Sequence, residues 1–318
     1  MEMHEIRPEI SQALLTNPGI GFIAAPELMD AEPNALRDSR GQTVAPYKFT
    51  PDGRTWNHPD SGVLFCSCRW KDIEPLQGTY DWRCLEEKLD AAAALGCTCI
   101  VRISPYALSA QEDIPAWLRM RYPEEPEFPF WRIDPNTTEY PRLWAALIRN
   151  FAARYDGDPR ITSVDMAIVG AWGEGGGTEN MEENAMKTVI AAYMEGFPHT
   201  PLTALLHDPK SLACIRAFPK QVGFRVDCLG DMGGFHGDRW SHMLDFYPEN
   251  IQNFQMGDAW QEAPVVFEAC WHMNDWYLQG WDIDYIIDES LKWHISSYNS
   301  KGTTVPEAWK NSVTRWVR

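Results

Sequence analysis

The chain has 318 residues, of which 44% are hydrophobic and 23% are charged, values typical of a globular protein rather than a disordered one. Its formal net charge of -17 argues against a nucleic-acid partner, because contacts with phosphates need Lys and Arg. No apolar run is long enough to span a membrane, so we expect no membrane partner.

Cysteine usage and the N-terminus bear on the compartment. The eight cysteines lie mostly inside apolar runs, where the thiol behaves as a small hydrophobe, and none of their spacings suits zinc. The N-terminus shows no basic patch followed by an apolar stretch. We therefore expect free, buried thiols and a cytoplasmic location.

Short, almost continuously apolar runs alternate with helical patterns along the chain. Such runs are typical of strands that are buried on both faces. The predicted strands are 19–26, 63–70, 98–104, 163–172, 202–207, 222–228, 265–270 and 295–299. The predicted helices are 81–95, 140–155, 182–195, 209–217, 283–293 and 306–317. Gly96 is a natural end for the first helix, and Pro209 and Pro306 suit first helical turns.

Eight strands that alternate with helices predict parallel pairing and a closed (β/α)8 barrel that forms a single domain over residues 1–318. A doubly wound open sheet is the alternative, but no strand is followed by a dinucleotide-binding G-x-G-x-x-G. The glycine-rich stretch 173–177 also lacks the Lys-Ser/Thr of a phosphate loop. Long loops at 27–62 and 106–135, after strands one and three, would wall the active-site mouth.

Two glutamates stand out among the polar residues at strand ends, where barrel enzymes carry their chemistry. Glu174 follows the fourth predicted strand, and Glu268 lies inside the wholly apolar seventh strand. Strands four and seven lie on facing walls of a barrel, so the two carboxyl groups can meet across one pocket. Glycoside hydrolysis needs such a pair, with one group protonated and the other ionised.

Other side chains near the strand ends are candidates for substrate binding. They are Arg69, Arg102, Trp172, His207, Asp208, Arg225, Asp227, Trp271, His272, Tyr298 and Asn299. Arg69 and Arg102 are expected to keep Glu268 ionised, because a buried carboxylate needs a cation nearby. The tryptophans suit either sugar platforms or core packing. Asp165 is expected to be a structural ion-pair residue near the barrel floor.

The segment 69–82, Arg-Trp-Lys-Asp-Ile-Glu-Pro-Leu-Gln-Gly-Thr-Tyr-Asp-Trp, resembles a stretch that follows strand two in β-galactosidase-like and cellulase-like (β/α)8 glycosidases. The segments 17–22 and 170–174 resemble a β-galactosidase-like group of glycoside hydrolases. The resemblance implies a retaining glycosidase that needs no cofactor or metal, with a carbohydrate substrate, Glu174 as acid/base and Glu268 as nucleophile.

The sequence departs from that clan at three positions. Gly173 stands where the clan usually has the asparagine that binds the sugar 2-OH. Arg225 and Asp227 lie on strand six, which often carries a tyrosine, and Tyr298 lies on strand eight, which often carries a tryptophan. The identity of the sugar therefore cannot be carried over.

Two other functions fit the same barrel. Glu174, His207, Asp227 and Glu268 could hold a divalent ion in a metal-dependent sugar isomerase or epimerase. A non-catalytic carbohydrate-binding barrel would keep both glutamates without turnover. Loss of activity on chelation would favour the isomerase. Carbohydrate binding without turnover would favour the non-catalytic barrel.

Overall fold

The computed structural model describes residues 19–24, 62–105, 114–121, 134–170, 173–233, 240–300 and 305–317. Within them, eight parallel strands close into a barrel in which each strand pairs with the next and the last pairs with the first. The strands are β1 Gly21–Ala24, β2 Val63–Arg69, β3 Thr98–Ser104, β4 Ile161–Asp165, β5 Leu202–Leu205, β6 Gly223–Leu229, β7 Val265–Ala269 and β8 Ser297–Asn299. The predicted (β/α)8 barrel is confirmed.

Helices follow most of the strands and cover the barrel. The α-helices among the described residues are α1 Trp70–Ile73, α2 Arg83–Ala94, α3 Ala116–Arg119, α4 Glu139–Tyr155, α5 Glu183–Gly196, α6 Pro209–Ile215, α7 Tyr247–Asn253, α8 Met273–Gln279, α9 Ile283–Lys292 and α10 Lys310–Val313. No helix in the described part of the chain is long and apolar enough to cross a membrane.

The core lies between the barrel and the inward faces of these helices. On α4, for example, Leu143, Leu147 and Phe151 recur at helical spacing and are all buried, as an amphipathic helix requires. Trp70 and Trp144 lie fully buried with their ring centroids 5.0 Å apart. For these tryptophans, core packing is the observed role.

The interior of the barrel contains a buried ion cluster. The Asp165 carboxylate accepts hydrogen bonds from Arg102 Nε at 2.8 Å and Nη2 at 2.5 Å, and it lies 3.0 Å from Arg225 Nε. The ion-pair role expected for Asp165 is observed. Its expected position was wrong, because Asp165 is the last residue of β4 rather than a residue of the barrel floor.

Strand β4 is shorter than the predicted 163–172. After Asp165 the backbone leaves the sheet because helix side chains take up its carbonyl groups. Tyr140 Oη donates to the Ile168 carbonyl at 2.8 Å, and Trp144 Nε1 donates to the Ala167 carbonyl at 2.8 Å. Gly170 then adopts a left-handed φ of 100°. The apolar run continues, but it lines the space between barrel and helices.

The other predicted elements differ mainly at their ends. The predicted helix 306–317 is divided into two 3-10 turns, Glu307–Trp309 and Thr314–Val317, on either side of α10. Pro209 lies in the first turn of α6, as predicted. The predicted loop 27–62 lies outside the described residues except for residue 62. The predicted loop 106–135 is described only at 114–121 and 134–135, and there it contains the short helix α3. All eight cysteines are free thiols, and six of them are buried.

Candidate active site

Three carboxylates meet at the carboxyl ends of strands β4, β6 and β7. Glu174, Asp227 and Glu268 each bring one oxygen to within 4.8 Å of an oxygen of the other two. Glu174 comes from the segment after β4, Asp227 from β6 and Glu268 from β7. The barrel therefore brings together the two predicted glutamates, and it adds Asp227, which the sequence suggested as a substrate contact or, in the isomerase alternative, as a metal ligand.

A glycine-rich turn presents Glu174. Gly173 and Gly175 on either side of it have left-handed φ values of 76° and 74°, which glycine adopts without steric cost. Arg225 Nη2 donates to the Gly173 carbonyl at 3.1 Å. The same arginine that pairs with Asp165 thus also holds the turn that carries Glu174.

The Glu174 carboxyl has a raised pKa, at about 7. Desolvation is the largest cause, and the negative charges of Asp227 and Glu268 raise the pKa further. Arg225 and Arg102 act in the opposite direction. At neutral pH a large fraction of Glu174 is therefore protonated, as a general acid must be.

Glu268 occupies the opposite side of the site. It is half-buried in β7, where it is the neighbour of Asn299 in β8. Asn299 Nδ2 donates to Glu268 Oε2 at 3.1 Å. This bond fixes the orientation of the Glu268 carboxylate.

Asp227 connects the carboxylates to the buried ion cluster. Arg225 Nη1 donates to Asp227 Oδ1 at 2.9 Å, and Arg225 is almost fully buried. The charges of Asp165, Asp227, Glu174 and Glu268 all favour the cationic form of this arginine. Arg225 is therefore the central cation of the site.

Aromatic rings and histidines line the site beside β5 and β6. His207 stacks on Phe246 with centroids 4.5 Å apart, and His242 lies 5.6 Å from His207. Burial lowers the pKa of His207 to about 4, so its imidazole is neutral at pH 7. The exposed Trp240 packs on His242 at 4.7 Å. This wall offers flat apolar faces to a ligand.

Several predicted substrate contacts have structural roles instead. Asp208 caps α6 by accepting from Ser211 N at 3.0 Å, and it is buried. Tyr298 is 1% exposed and packs in the core, with its ring 4.6 Å from that of Trp316. These two assignments are corrected, because their side chains are used in capping and in core packing.

Three of the remaining candidates lie at or just after the ends of strands. His272 caps α8, and its N–H donates to Asp275 Oδ2 at 3.2 Å. Trp271 is half-buried and stacks on Trp281 at 6.3 Å. Arg69 ends β2 with an exposed side chain. Trp172 lies outside the described residues.

Sequence reasoning missed the residues that lie beyond Asp227. Cys228, Asp231 and His242 form a connected cluster beside the carboxylates, described below. The position of Cys228 at the end of strand six was a usable signal, because strand ends carry the site in this fold. His242 lies 14 residues after Cys228 in the chain, and no spacing in the sequence connects the two.

Charge balance decides how well a metal ion would fit the three carboxylates. Their oxygens are close enough to hold one cation. However, Arg225 already occupies Asp227 Oδ1, and the charge of Arg102 also acts on Glu174. A proton on Glu174 relieves the remaining repulsion without a metal ion.

Comparison with known proteins supports the motif resemblance. Residues 61–166 match the model of glycoside hydrolase family 42, described as β-galactosidase. No curated protein matches the chain.

Solved structures share the fold at low identity. The catalytic domain of β-amylase from Paenibacillus polymyxa matches with a TM-score of 0.58 and 10% identity, over 80% of this chain and 91% of that chain. Xylanase 10B from Thermotoga petrophila, in complex with xylobiose, matches with a TM-score of 0.51 and 12% identity, over 94% and 95%. At such identities the likeness shows the fold alone. Over residues 61–166, the resemblance of this barrel to the β-galactosidase-like glycoside hydrolases is confirmed.

Proposed function

We propose that this chain is a β-glycosidase that retains the anomeric configuration, with Glu268 as nucleophile and Glu174 as acid/base. The family match supports glycosidase activity. The observation that carries the proposal is the approach of one Glu174 oxygen to within 4.8 Å of one Glu268 oxygen. Retaining enzymes place their carboxyl groups about 5–5.5 Å apart, and an oxygen pair within 4.8 Å is compatible with that spacing.

The protonation states suit the first step. Ionised Glu268 attacks the anomeric carbon while protonated Glu174 gives its proton to the leaving oxygen. The C–O bond to the aglycone breaks, and a covalent glycosyl-enzyme forms. The negative charge of Glu268, one of the causes of the raised Glu174 pKa, is then consumed.

The second step reverses these roles. Loss of the Glu268 charge lowers the pKa of Glu174, so that its carboxylate can take a proton from water. The water attacks the anomeric carbon and releases Glu268. Arg225 holds Asp227 and the Gly173 carbonyl in both steps, so the frame around Glu174 stays fixed.

The test is turnover of a panel of aryl β-glycosides, including the β-galactoside, with the product anomer followed by NMR. We expect a product of retained configuration. Glu268→Gln should abolish turnover, and Glu174→Ala should lose rate mainly on substrates with poor leaving groups, with azide restoring it on activated ones. Asp288→Asn, at a surface carboxylate that pairs with Arg315, is the matched control. Normal turnover by Glu268→Gln, or an inverted product, would reject the mechanism.

A metal-dependent isomerase is the second candidate, favoured by the three clustered carboxylates. It predicts a divalent ion in the purified protein and loss of activity on chelation. The bond between Arg225 and Asp227 favours the glycosidase, since that carboxylate oxygen is already paired.

We further propose that residues 1–318 form one catalytic domain and that the protein works in a reducing compartment such as the cytoplasm. Eight free thiols, six of them buried, support the second point. Export of the protein to an oxidising compartment in fractionated cells would contradict it.

A further inference from the structure

A cysteine cluster lies directly beside the proposed catalytic carboxylates. Cys228 follows Asp227 near the end of β6, where the pairing with β7 shifts register between Val226 and Leu229. Its φ of 64° is left-handed, an uncommon conformation for a residue other than glycine. The backbone thus turns Cys228 out of the regular strand pattern, and its side chain is half-buried.

Two side chains contact the Cys228 thiol. It hydrogen-bonds with Cys270 and with His242. Cys270 follows β7 directly, and its N–H donates to the Leu229 carbonyl at 2.8 Å. The Cys270 carbonyl in turn accepts from Trp276 Nε1 at 2.6 Å. These two bonds fix the backbone of Cys270 beside the end of β6, next to Cys228.

His242 is oriented by a buried acid. Its Nδ1 lies 2.7 Å from Asp231 Oδ2, and its backbone N–H donates to the same oxygen at 3.0 Å. Asp231 is 0% exposed. Since Nδ1 faces Asp231, the other ring nitrogen is left for the Cys228 thiol. Cysteine, histidine and aspartate thus form a chain of the kind that activates thiols.

The electrostatics agree with this geometry. The hydrogen bond from Cys270 is the largest cause that lowers the pKa of Cys228, to about 6, and the bond and charge of His242 add to it. Burial opposes protonation of His242, but its bonds with Asp231 and Cys228 raise its pKa to about 9. Asp227 and Tyr247 are the other titratable groups beside the cluster. At neutral pH the arrangement holds a thiolate next to an imidazolium.

We propose that Cys228 is a peroxide-sensitive thiolate that forms a reversible disulfide with Cys270 and thereby switches off the neighbouring carboxylate site. In the first step the thiolate sulfur attacks one oxygen of hydrogen peroxide, the O–O bond breaks, and hydroxide leaves as Cys228 becomes a sulfenic acid. The deprotonated Cys270 sulfur then attacks the Cys228 sulfur, the S–S bond forms, and the S–O bond breaks. Two thiols and one peroxide yield one disulfide and two waters.

The disulfide would alter the site because the backbone must move. A disulfide joins sulfur atoms about 2.05 Å apart, closer than any hydrogen-bonded pair of thiols. Drawing Cys228 toward β7 breaks its bond with His242 and shifts Asp227, the preceding residue. The Asp227 carbonyl also accepts from Tyr247 Oη, so this helix contact would shift too. The loss of activity rests on the proposed glycosidase function, whereas disulfide formation does not.

Two other cysteine pairs provide internal competitors. The sulfur atoms of Cys66 and Cys99 lie 2.8 Å apart, and those of Cys68 and Cys84 lie 3.2 Å apart. Both pairs are at least as close as a hydrogen bond requires, so proximity alone predicts that they oxidise as readily as Cys228 and Cys270. The proposal predicts that Cys228 and Cys270 oxidise first, because His242 and Asp231 activate Cys228.

The test treats the reduced full-length protein with one equivalent of hydrogen peroxide and maps the cross-links by mass spectrometry without reduction. We expect loss of two hydrogen atoms from the intact mass and a linked peptide pair that contains Cys228 and Cys270, both reversed by dithiothreitol. Cys270→Ser should stop at a sulfenic acid on Cys228 that dimedone traps, and Cys84→Ser should leave the cross-link unchanged. A first cross-link at either competing pair, or no reaction, would overturn the proposal.

Two further measurements separate the parts of the proposal. His242→Phe or Asp231→Asn should slow cross-linking about tenfold at pH 6, since the smaller thiolate fraction outweighs the higher nucleophilicity of a less acidic thiol. An unchanged rate in a folded variant would reject the activation by His242.

Glycoside turnover should fall at least about tenfold on oxidation, as expected when an active-site group is displaced by about 1 Å. A cross-linked enzyme of full activity rejects the switch, whereas a reduced enzyme inactive on all glycosides rejects the proposed function alone.

Discussion

Gly173, the residue before the proposed acid/base, occupies a position that no other residue fits. Its φ of 76° is left-handed, and a Cβ there would lie 2.9 Å from Ala167 Cβ and 3.0 Å from Arg102 Cδ. The asparagine found here in the resembling clan would press on the arginine that pairs with Asp165. In the proposed glycosidase, recognition of a sugar 2-OH would therefore come from other side chains, and Asn299, which contacts Glu268, is a candidate.

Gly173→Ala should destabilise the fold by more than the cost of placing alanine in a left-handed conformation. The matched control is Gly280→Ala, which has a φ of 74° and nothing within 4 Å of its Cβ position. Both changes carry a conformational cost of roughly 1–2 kcal/mol. Gly173→Ala should cost about 1–3 kcal/mol more because of the clash. Guanidinium denaturation measures both, and equal losses would show that the turn relaxes freely.

Asp227→Asn should shift the pH profile of turnover. The charge of Asp227 raises the pKa of Glu174, and Glu174 must be protonated to act as the acid. Removing that charge lowers the Glu174 pKa, so the basic limb of the kcat/KM profile should move to lower pH. The profile of the Asp288→Asn variant, at a surface carboxylate, is the control. A basic limb that stays near pH 7 would show that Asp227 does not act on Glu174.

At the scale of the elements, strand β4 shows where sequence patterns stop being informative. The apolar run through residue 172 reads as one strand, yet the strand ends at Asp165. The strand ends because Tyr140 and Trp144 on α4 bind the next carbonyl groups. A local pattern reports burial, but it does not report which partner satisfies the backbone.

Tyr140→Phe should weaken this arrangement by about 1–2 kcal/mol, because it leaves the buried Ile168 carbonyl without its donor. Tyr277→Phe is the control, since Tyr277 is 48% exposed. Urea denaturation of both variants measures the difference. Turnover should fall in Tyr140→Phe if the segment positions Glu174, and equal stability of the two variants would contradict the role given to Tyr140.

Eight strands, most helices and the Glu174–Glu268 pair follow from the sequence because periodic burial and the strand order fix them. The partners of each glutamate do not follow, since they depend on side-chain directions across the barrel. Asn299 donates a hydrogen bond to Glu268, and Arg102 binds Asp165, two contacts that the sequence does not indicate. The roles of Asp208 and Tyr298 were missed for the same reason. Asp208, which caps α6, and Tyr298, which packs in the core, resemble site residues when only their position near a strand end is known.

At the scale of the whole molecule, one ion cluster connects three strands of the barrel. Asp165 from β4 is shared by Arg102 from β3 and Arg225 from β6. These groups are almost fully buried, so each guanidinium depends on this carboxylate for compensation. Because Arg225 also binds Asp227 and the Gly173 carbonyl, the cluster that connects the strands also positions the residues of the site.

Asp165→Asn should be strongly destabilising, by about 3–5 kcal/mol, because it leaves two buried guanidinium groups with one partner fewer. Asp288→Asn is the control, since Asp288 pairs with Arg315 on the surface, where a pair contributes about 1 kcal/mol or less. Thermal and denaturant unfolding measure both variants. Similar losses in the two variants would show that the cluster does not stabilise the barrel.

The net charge of the barrel interior affects which ligands can bind there. The described interior holds more acids than bases: Asp165, Asp227, Glu174 and Glu268 face Arg102 and Arg225. Even with one proton on Glu174, the pocket keeps an excess negative charge. A uronic acid or a sugar phosphate would add like charge, which costs several kcal/mol when it is buried. If the proposed glycosidase function holds, we expect preference for neutral glycosides and for inhibitors with a cationic ring amine. Comparing hydrolysis of an aryl glucoside with that of the matching glucuronide measures this selectivity.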